Sequence, residues 1–142
     1  LESYNIDTNL LLKKLEKMDK LELSRVKAII VVHLYGQAAN LEKIKEISSR
    51  FKIPIVEDAC HAIKAKHNNK MAGSFGITGC FSMHPLKNLN VWGDGGIVVT
   101  DDDNIFEKLM LLRNHGLSGR DQCESKRRIR HGCRPCRRGL PQ

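Results

Sequence analysis

Residues 28–60, AIIVVHLYGQAANLEKIKEISSRFKIPIVEDAC, decide the fold class. The first part, Ala28 to Leu34, is short, β-branched and almost wholly apolar, which reads as a strand buried on both faces. Gly36 breaks it. Asn40 can then cap a helix running to about Phe51, with Leu41, Ile44, Ile47 and Phe51 facing inward at the helical period. Pro54 opens a second strand, Ile55 to Cys60. Apolar strands that alternate with helices build an α/β layer around a largely parallel sheet.

The neighbouring stretches extend this pattern. Upstream, Asp7 can cap a helix whose apolar face is Leu10, Leu11, Leu12, Leu15 and Met18. Downstream, a polar turn around His67–Lys70 precedes a third short strand, GCFSMHP, Gly79 to Pro85. The turn Gly93-Asp94-Gly95-Gly96 leads into a fourth, Ile97 to Thr100. Asp101–Asp103 then start a helix carrying Ile105, Phe106, Leu109 and Leu112, with Gly116 placed to cap its end. No helix separates the third and fourth strands, so part of the sheet is expected to be mixed.

A length of 142 residues suffices for one domain with a real core. No run approaches the roughly 18–20 apolar residues of a membrane-spanning helix. The first ten residues, LESYNIDTNL, lack the basic and apolar regions of a secretory signal. The net charge of +8 invites a nucleic-acid reading, but its distribution opposes one. All 16 acidic residues and 17 of the 24 Lys and Arg lie in 1–124, whereas seven Lys and Arg and no acid lie in 125–142. Neither nucleic acid nor membrane is therefore an expected partner. The five cysteines, Cys60, Cys80, Cys123, Cys133 and Cys136, are odd in number and form no disulfide framework, which fits a reducing cytoplasm.

In open α/β sheets, ligands bind beyond the carboxyl ends of the strands. Asp58 and His61 end one strand, and Ser82, His84 and Lys87 end another. A carboxylate, a hydroxyl and a lysine converging there suit a phosphorylated cofactor held as an imine. Each residue also has a plainer reading. An Asp after a strand is commonly a turn or cap residue, a Lys is commonly solvated, and a Ser in a strand is usually only a strand residue. The two histidines can be satisfied structural groups, and GDGG can be any tight turn.

The run VEDACHA (56–62), then AGSFGITGCFSMHPLKNLNVWGDGGIVVTDDD (72–103), then LLRNHG (111–116) resembles the DegT/DnrJ/StrS family of pyridoxal-phosphate (PLP) dependent sugar aminotransferases. The upstream AIIVVHLYGQAANLEKIKEI, with its HLYGQ turn, resembles it too, and the likeness runs in order from about Tyr4 to Glu124. It implies the large domain of a fold-type-I aminotransferase. It implies that Asp58 pairs with the pyridine nitrogen, His61 packs near the ring, Ser82 binds the phosphate and Lys87 holds PLP covalently. It further implies a keto-sugar acceptor, usually nucleotide-linked, an amino donor such as glutamate, and a homodimer with shared active sites. A sugar dehydratase on the same scaffold is the alternative, but such relatives carry histidine in place of Lys87.

The resemblance also implies a phosphate-cradling helix start upstream and a small second domain downstream, both expected to fall outside this stretch. Residues 1–124 are thus expected to be part of a large domain, with little activity alone; a catalytically inactive fragment is the remaining alternative. The Arg/Cys-rich tail, 125–142, has no apolar period and is expected to be disordered or non-native. His131, Cys133 and Cys136, even with Cys123, make a poor zinc set, and no metal is expected.

Overall fold

A computed structural model describes residues 3–116 of the chain. The chain divides into two compact units between Asp101 and Asp102. In the first unit, α1 (Thr8–Lys17) is capped by Asp7, whose carboxylate accepts from the amides of Asn9 and Leu10. A second short helix, α2 (Lys20–Arg25), starts with a reciprocal capping box in which Asp19 accepts from the Glu22 amide and Glu22 from the Asp19 amide. The Asp-x-x-Glu spacing signals this helix, although the apolar pattern does not.

Four strands form the main sheet, in the order β1 (Ile29–Val32), β2 (Ile55–Asp58), β5 (Thr78–Ser82) and β6 (Gly96–Val99). β1, β2 and β5 run parallel, with Ile29 opposite Ile55 and Asp58 opposite Cys80. β6 pairs antiparallel with β5, Ser82 opposite Gly96, so the expected mixed region is present. The expected polar turn is a small hairpin of β3 (Lys66–His67) and β4 (Lys70–Met71). Its turn residues, Asn68 and Asn69, both have positive φ, as favoured two-residue hairpin turns require.

Helix α3 (Leu41–Phe51) joins β1 to β2, capped by Asn40 as its sequence predicts. Leu41, Ile44 and Ile47 are buried with Leu15 of α1 and with Ile29, Val31 and Ile55 of the sheet. Phe51, Leu11, Leu12 and Met18 pack around this core.

Three expectations need correction. The first strand is covered on one face only: Val31 is fully buried, but Ile30 is 64% exposed and Val32 40% exposed. β1 is an edge strand with helices packed on one side, so only alternate residues reach the core. Leu10 is 63% exposed and leaves the apolar face of α1, because Leu11 and Leu15 already fill the stripe one helix can bury. Finally, β2 and β5 stop at Asp58 and Ser82, short of Cys60 and Pro85. Asp58 accepts from the Cys60 amide and the Ser82 hydroxyl from the His84 amide, two local turns that compete with strand pairing.

In the second unit, α4 (Asp103–Arg113) is capped by Asp102. His115 and Gly116 both have positive φ, and the Gly116 amide donates to Leu111 O at 2.6 Å. This bond closes a Schellman-type end in which Asn114 is the C-cap and His115 takes the left-handed position, so Gly116 donates to the helix end one residue beyond the cap rather than forming the cap itself. The tail 125–142 and the cysteines Cys123, Cys133 and Cys136 lie outside the described residues.

Candidate active site

A cleft of about 340 Å³ opens beyond the carboxyl ends of β2 and β5, and Tyr35, Cys60, His61, Ser82, Lys87 and Asn88 help to line it. Three of the four expected site residues, His61, Ser82 and Lys87, thus face one space. Asp58 does not line the cleft itself. It stands behind Cys60, whose amide donates to Asp58 Oδ1 at 3.1 Å.

Strand ends and turns explain this convergence. β2 and β5 are parallel neighbours, so both deliver their carboxyl ends to one edge of the sheet. After Ser82 the chain makes a long excursion before it returns as β6, closed at its base by Met83 N to Gly95 O and Val91 N to Met83 O. Lys87 sits early in that excursion, fixed by its own amide to His84 O at 2.8 Å and by Asn90 Nδ2 to Lys87 O. His84 faces its own turn, accepting from the Leu86 amide at Nδ1, and is a turn residue.

The electrostatics favour an ionised carboxylate. The bond from the Cys60 thiol lowers the Asp58 carboxyl; burial opposes this, and the Cys60 amide and the nearby His61 and His33 add to it. The net effect lies below the ordinary value of 3.8. Burial, and then the neighbouring Asp58, push the Cys60 thiol up to about 11, although the charge of Lys87 acts against them. Cys60 is therefore a neutral spacer between an anion and a cation, not a nucleophile. Ser82 Oγ accepts from the His84 amide at 3.3 Å, which leaves its hydroxyl proton to donate elsewhere.

Sequence reasoning missed Tyr35 and Glu57. Tyr35 has φ 52, a strained left-handed conformation, and its ring lies parallel to His61 at 6.2 Å. The residues show the turn as a strand break and as the HLYGQ part of the family likeness, but neither assigns Tyr35 a role. Glu57 is wholly buried, and the signal for it is a carboxylate inside an apolar strand. Among the described residues, no group of three His, Cys, Asp or Glu side chains could hold a metal ion.

Residues 2–134 match the model of the DegT/DnrJ/EryC1/StrS aminotransferase family. The chain belongs to that family. It is 49% identical over 92 residues to UDP-N-acetyl-3-dehydro-alpha-D-glucosamine 3-aminotransferase of Acidithiobacillus ferrooxidans, covering 65% of this chain and 25% of that protein. Among solved structures it resembles a family aminotransferase from Brucella abortus, at 36% identity and TM-score 0.73 over 80% of this chain and 31% of that one. It also resembles the E. coli GDP-4-keto-6-deoxy-D-mannose-3-dehydratase with bound hydrated PLP, at 35% identity and TM-score 0.69 over 81% and 28%. The chain thus spans about a quarter to three tenths of the length of these relatives. The family fold agrees with the mostly parallel sheet flanked by helices.

Proposed function

We propose that this chain supplies the lysine-bearing part of a PLP site in a sugar aminotransferase. The observation that carries the reading is the placement of Lys87, Ser82 and His61 around one cleft, with the Asp58 carboxylate behind Cys60. This donor set suits PLP: an amine for its aldehyde, a hydroxyl for its phosphate, an imidazole beside its ring and an anion for its pyridine nitrogen. When bound, PLP supplies the electron sink that transamination needs.

Each residue then has a task. Lys87 Nζ holds the cofactor covalently and, when free, moves a proton at the substrate carbon. Asp58 keeps the pyridine nitrogen protonated. Ser82 Oγ donates to the phosphate, and His61 limits the tilt of the ring. The amino donor is an amino acid such as glutamate, and the acceptor is a nucleotide-linked keto-sugar. A lysine at position 87 favours transamination over dehydration. A homodimer belongs to the same reading, because the Lys87 loop exposes Leu86 at 87% and Trp92 entirely, apolar surface that a second subunit would cover. A cytoplasmic location fits the free Cys60 and Cys80.

The test is optical. Adding PLP to the chain gives a visible absorbance band that glutamate then changes. Absence of the band at saturating PLP contradicts the reading.

A further inference from the structure

Glu57 lies at the centre of a buried cluster that the transamination reading does not use. Its side chain and that of His33 are both fully buried, with His33 Nε2 3.0 Å from Glu57 Oε2. The Ala39 amide donates to His33 Nδ1 at 3.2 Å, so the ring proton lies on Nε2 and His33 donates to Glu57. Glu57 Oε2 also accepts from Gly73 N at 2.7 Å, and Oε1 accepts from Phe75 N and Gly76 N at 2.6 Å each. One carboxylate therefore gathers four donors, one from His33 just after β1 and three from the segment after β4.

Two of these ties reach the residues around the cleft. Glu57 directly precedes Asp58 on β2. The His33 amide donates to Asp58 O at 3.0 Å, so the same residue holds both members of the Glu57-Asp58 pair. The 73–76 segment lies flat on the sheet: a Cβ on Gly73 would come within 2.4 Å of the Phe81 ring, which lines the cleft beside Ser82. A Cβ on Gly79 would come within 2.1 Å of Gly73 O, so this approach requires glycine.

We infer that Glu57, through His33 and the 73–76 amides, is a positioning residue that fixes the carboxyl end of β2 and thereby the Asp58 carboxylate behind Cys60. The inference rests on the reading of Asp58 as the partner of the PLP nitrogen. A carboxylate in this cluster aligns the strand end in a way that an apolar side chain cannot, because each bond has a direction. Misplacing a catalytic group by about 1 Å can cost on the order of 10²-fold in rate.

The experiment compares Glu57→Gln, His33→Gln and Asp58→Asn with the unaltered full chain, each loaded with PLP. The readouts are the pH midpoint of the lysine-bound PLP absorbance band and the circular dichroism of the fold. His33→Gln keeps a donor toward Glu57 and loses only the acceptor for Ala39 N, so it perturbs the cluster least. The expected result is a midpoint shift in Glu57→Gln in the same direction as in Asp58→Asn, smaller in size, with a lesser shift in His33→Gln. If Asp58→Asn moves the midpoint while both cluster variants fold and leave it unmoved, the positioning role is overturned and the cofactor reading stands. If Asp58→Asn leaves it unmoved, the cofactor reading itself fails. Loss of fold in both cluster variants would show that the pair serves only the fold, and would also overturn the inference.

Discussion

Glu57 and Asp58 are consecutive carboxylates on one strand, yet Glu57 is fully buried among four donors while Asp58 is partly exposed and bonded to Cys60. The alternation of a strand sends them to opposite faces of the sheet. The Glu57 face is closed by α1 and α3, and the other carries the exposed Ile30 and Val32. One face spends its polar contacts on rigidity and the other keeps its polar groups available for a ligand. Substitutions on the Glu57 side should therefore appear first in stability, and those on the Asp58 side first in cofactor chemistry.

The largest effect is expected on the open side. Lys87→Ala removes covalent attachment of PLP altogether and leaves the denaturant midpoint unchanged, since Lys87 is partly exposed and its backbone makes the turn. Absorbance with PLP and urea unfolding check the two halves. A lowered unfolding midpoint would blur the division between the faces.

On the closed side, Glu57→Ala strips the partner from four donors, two of them buried and two part-buried, and is expected to lower stability by about 3–5 kcal/mol. Acid should have a related effect. Burial alone would raise the Glu57 carboxyl, but the bonds from His33, Gly76, Gly73 and Phe75 outweigh it and hold it below the ordinary 4.5. A carboxyl depressed in the folded state stabilises above that ordinary value, and the contribution is lost as pH falls through the folded value. The unaltered chain is expected to lose stability below about pH 4.5, and Glu57→Gln to lose less over the same window. Equal losses, read from urea midpoints against pH, would place the acid-sensitive group elsewhere.

Asp58→Asn is expected to lower turnover by about 10²-fold in an active enzyme that contains this segment, with little change in PLP affinity or stability. Steady-state rates and PLP titration separate these quantities, and a variant with normal turnover would make Asp58 only a turn residue. The smallest effect is expected at the surface. Arg50 and Glu16 meet at 2.8 Å with side chains 57% and 41% exposed, so Glu16→Gln should change stability by less than about 1 kcal/mol.

The sequence reveals the elements that rest on local rules. The caps Asp7, Asn40 and Asp102 and the buried stripe of α3 follow from helix chemistry, and the absence of a helix after Ser82 foretells the antiparallel β6. The apolar run 28–34 shows that a strand exists but not that one face stays uncovered, because coverage depends on where other elements pack. Lys87, Ser82, His61 and Asp58 are visible as polar groups after strands. Glu57 was hidden because its four donors come from residues distant in sequence, and Tyr35 because a positive φ on a non-glycine residue leaves no local pattern.

The central claim, that Lys87 is the residue that holds the cofactor, has a direct test. The chain is incubated with PLP, reduced with borohydride, digested and mapped for a pyridoxyl group. A label on the peptide containing Lys87 is the predicted result. A label on Lys64 or Lys70 with Lys87 unmodified would contradict the account.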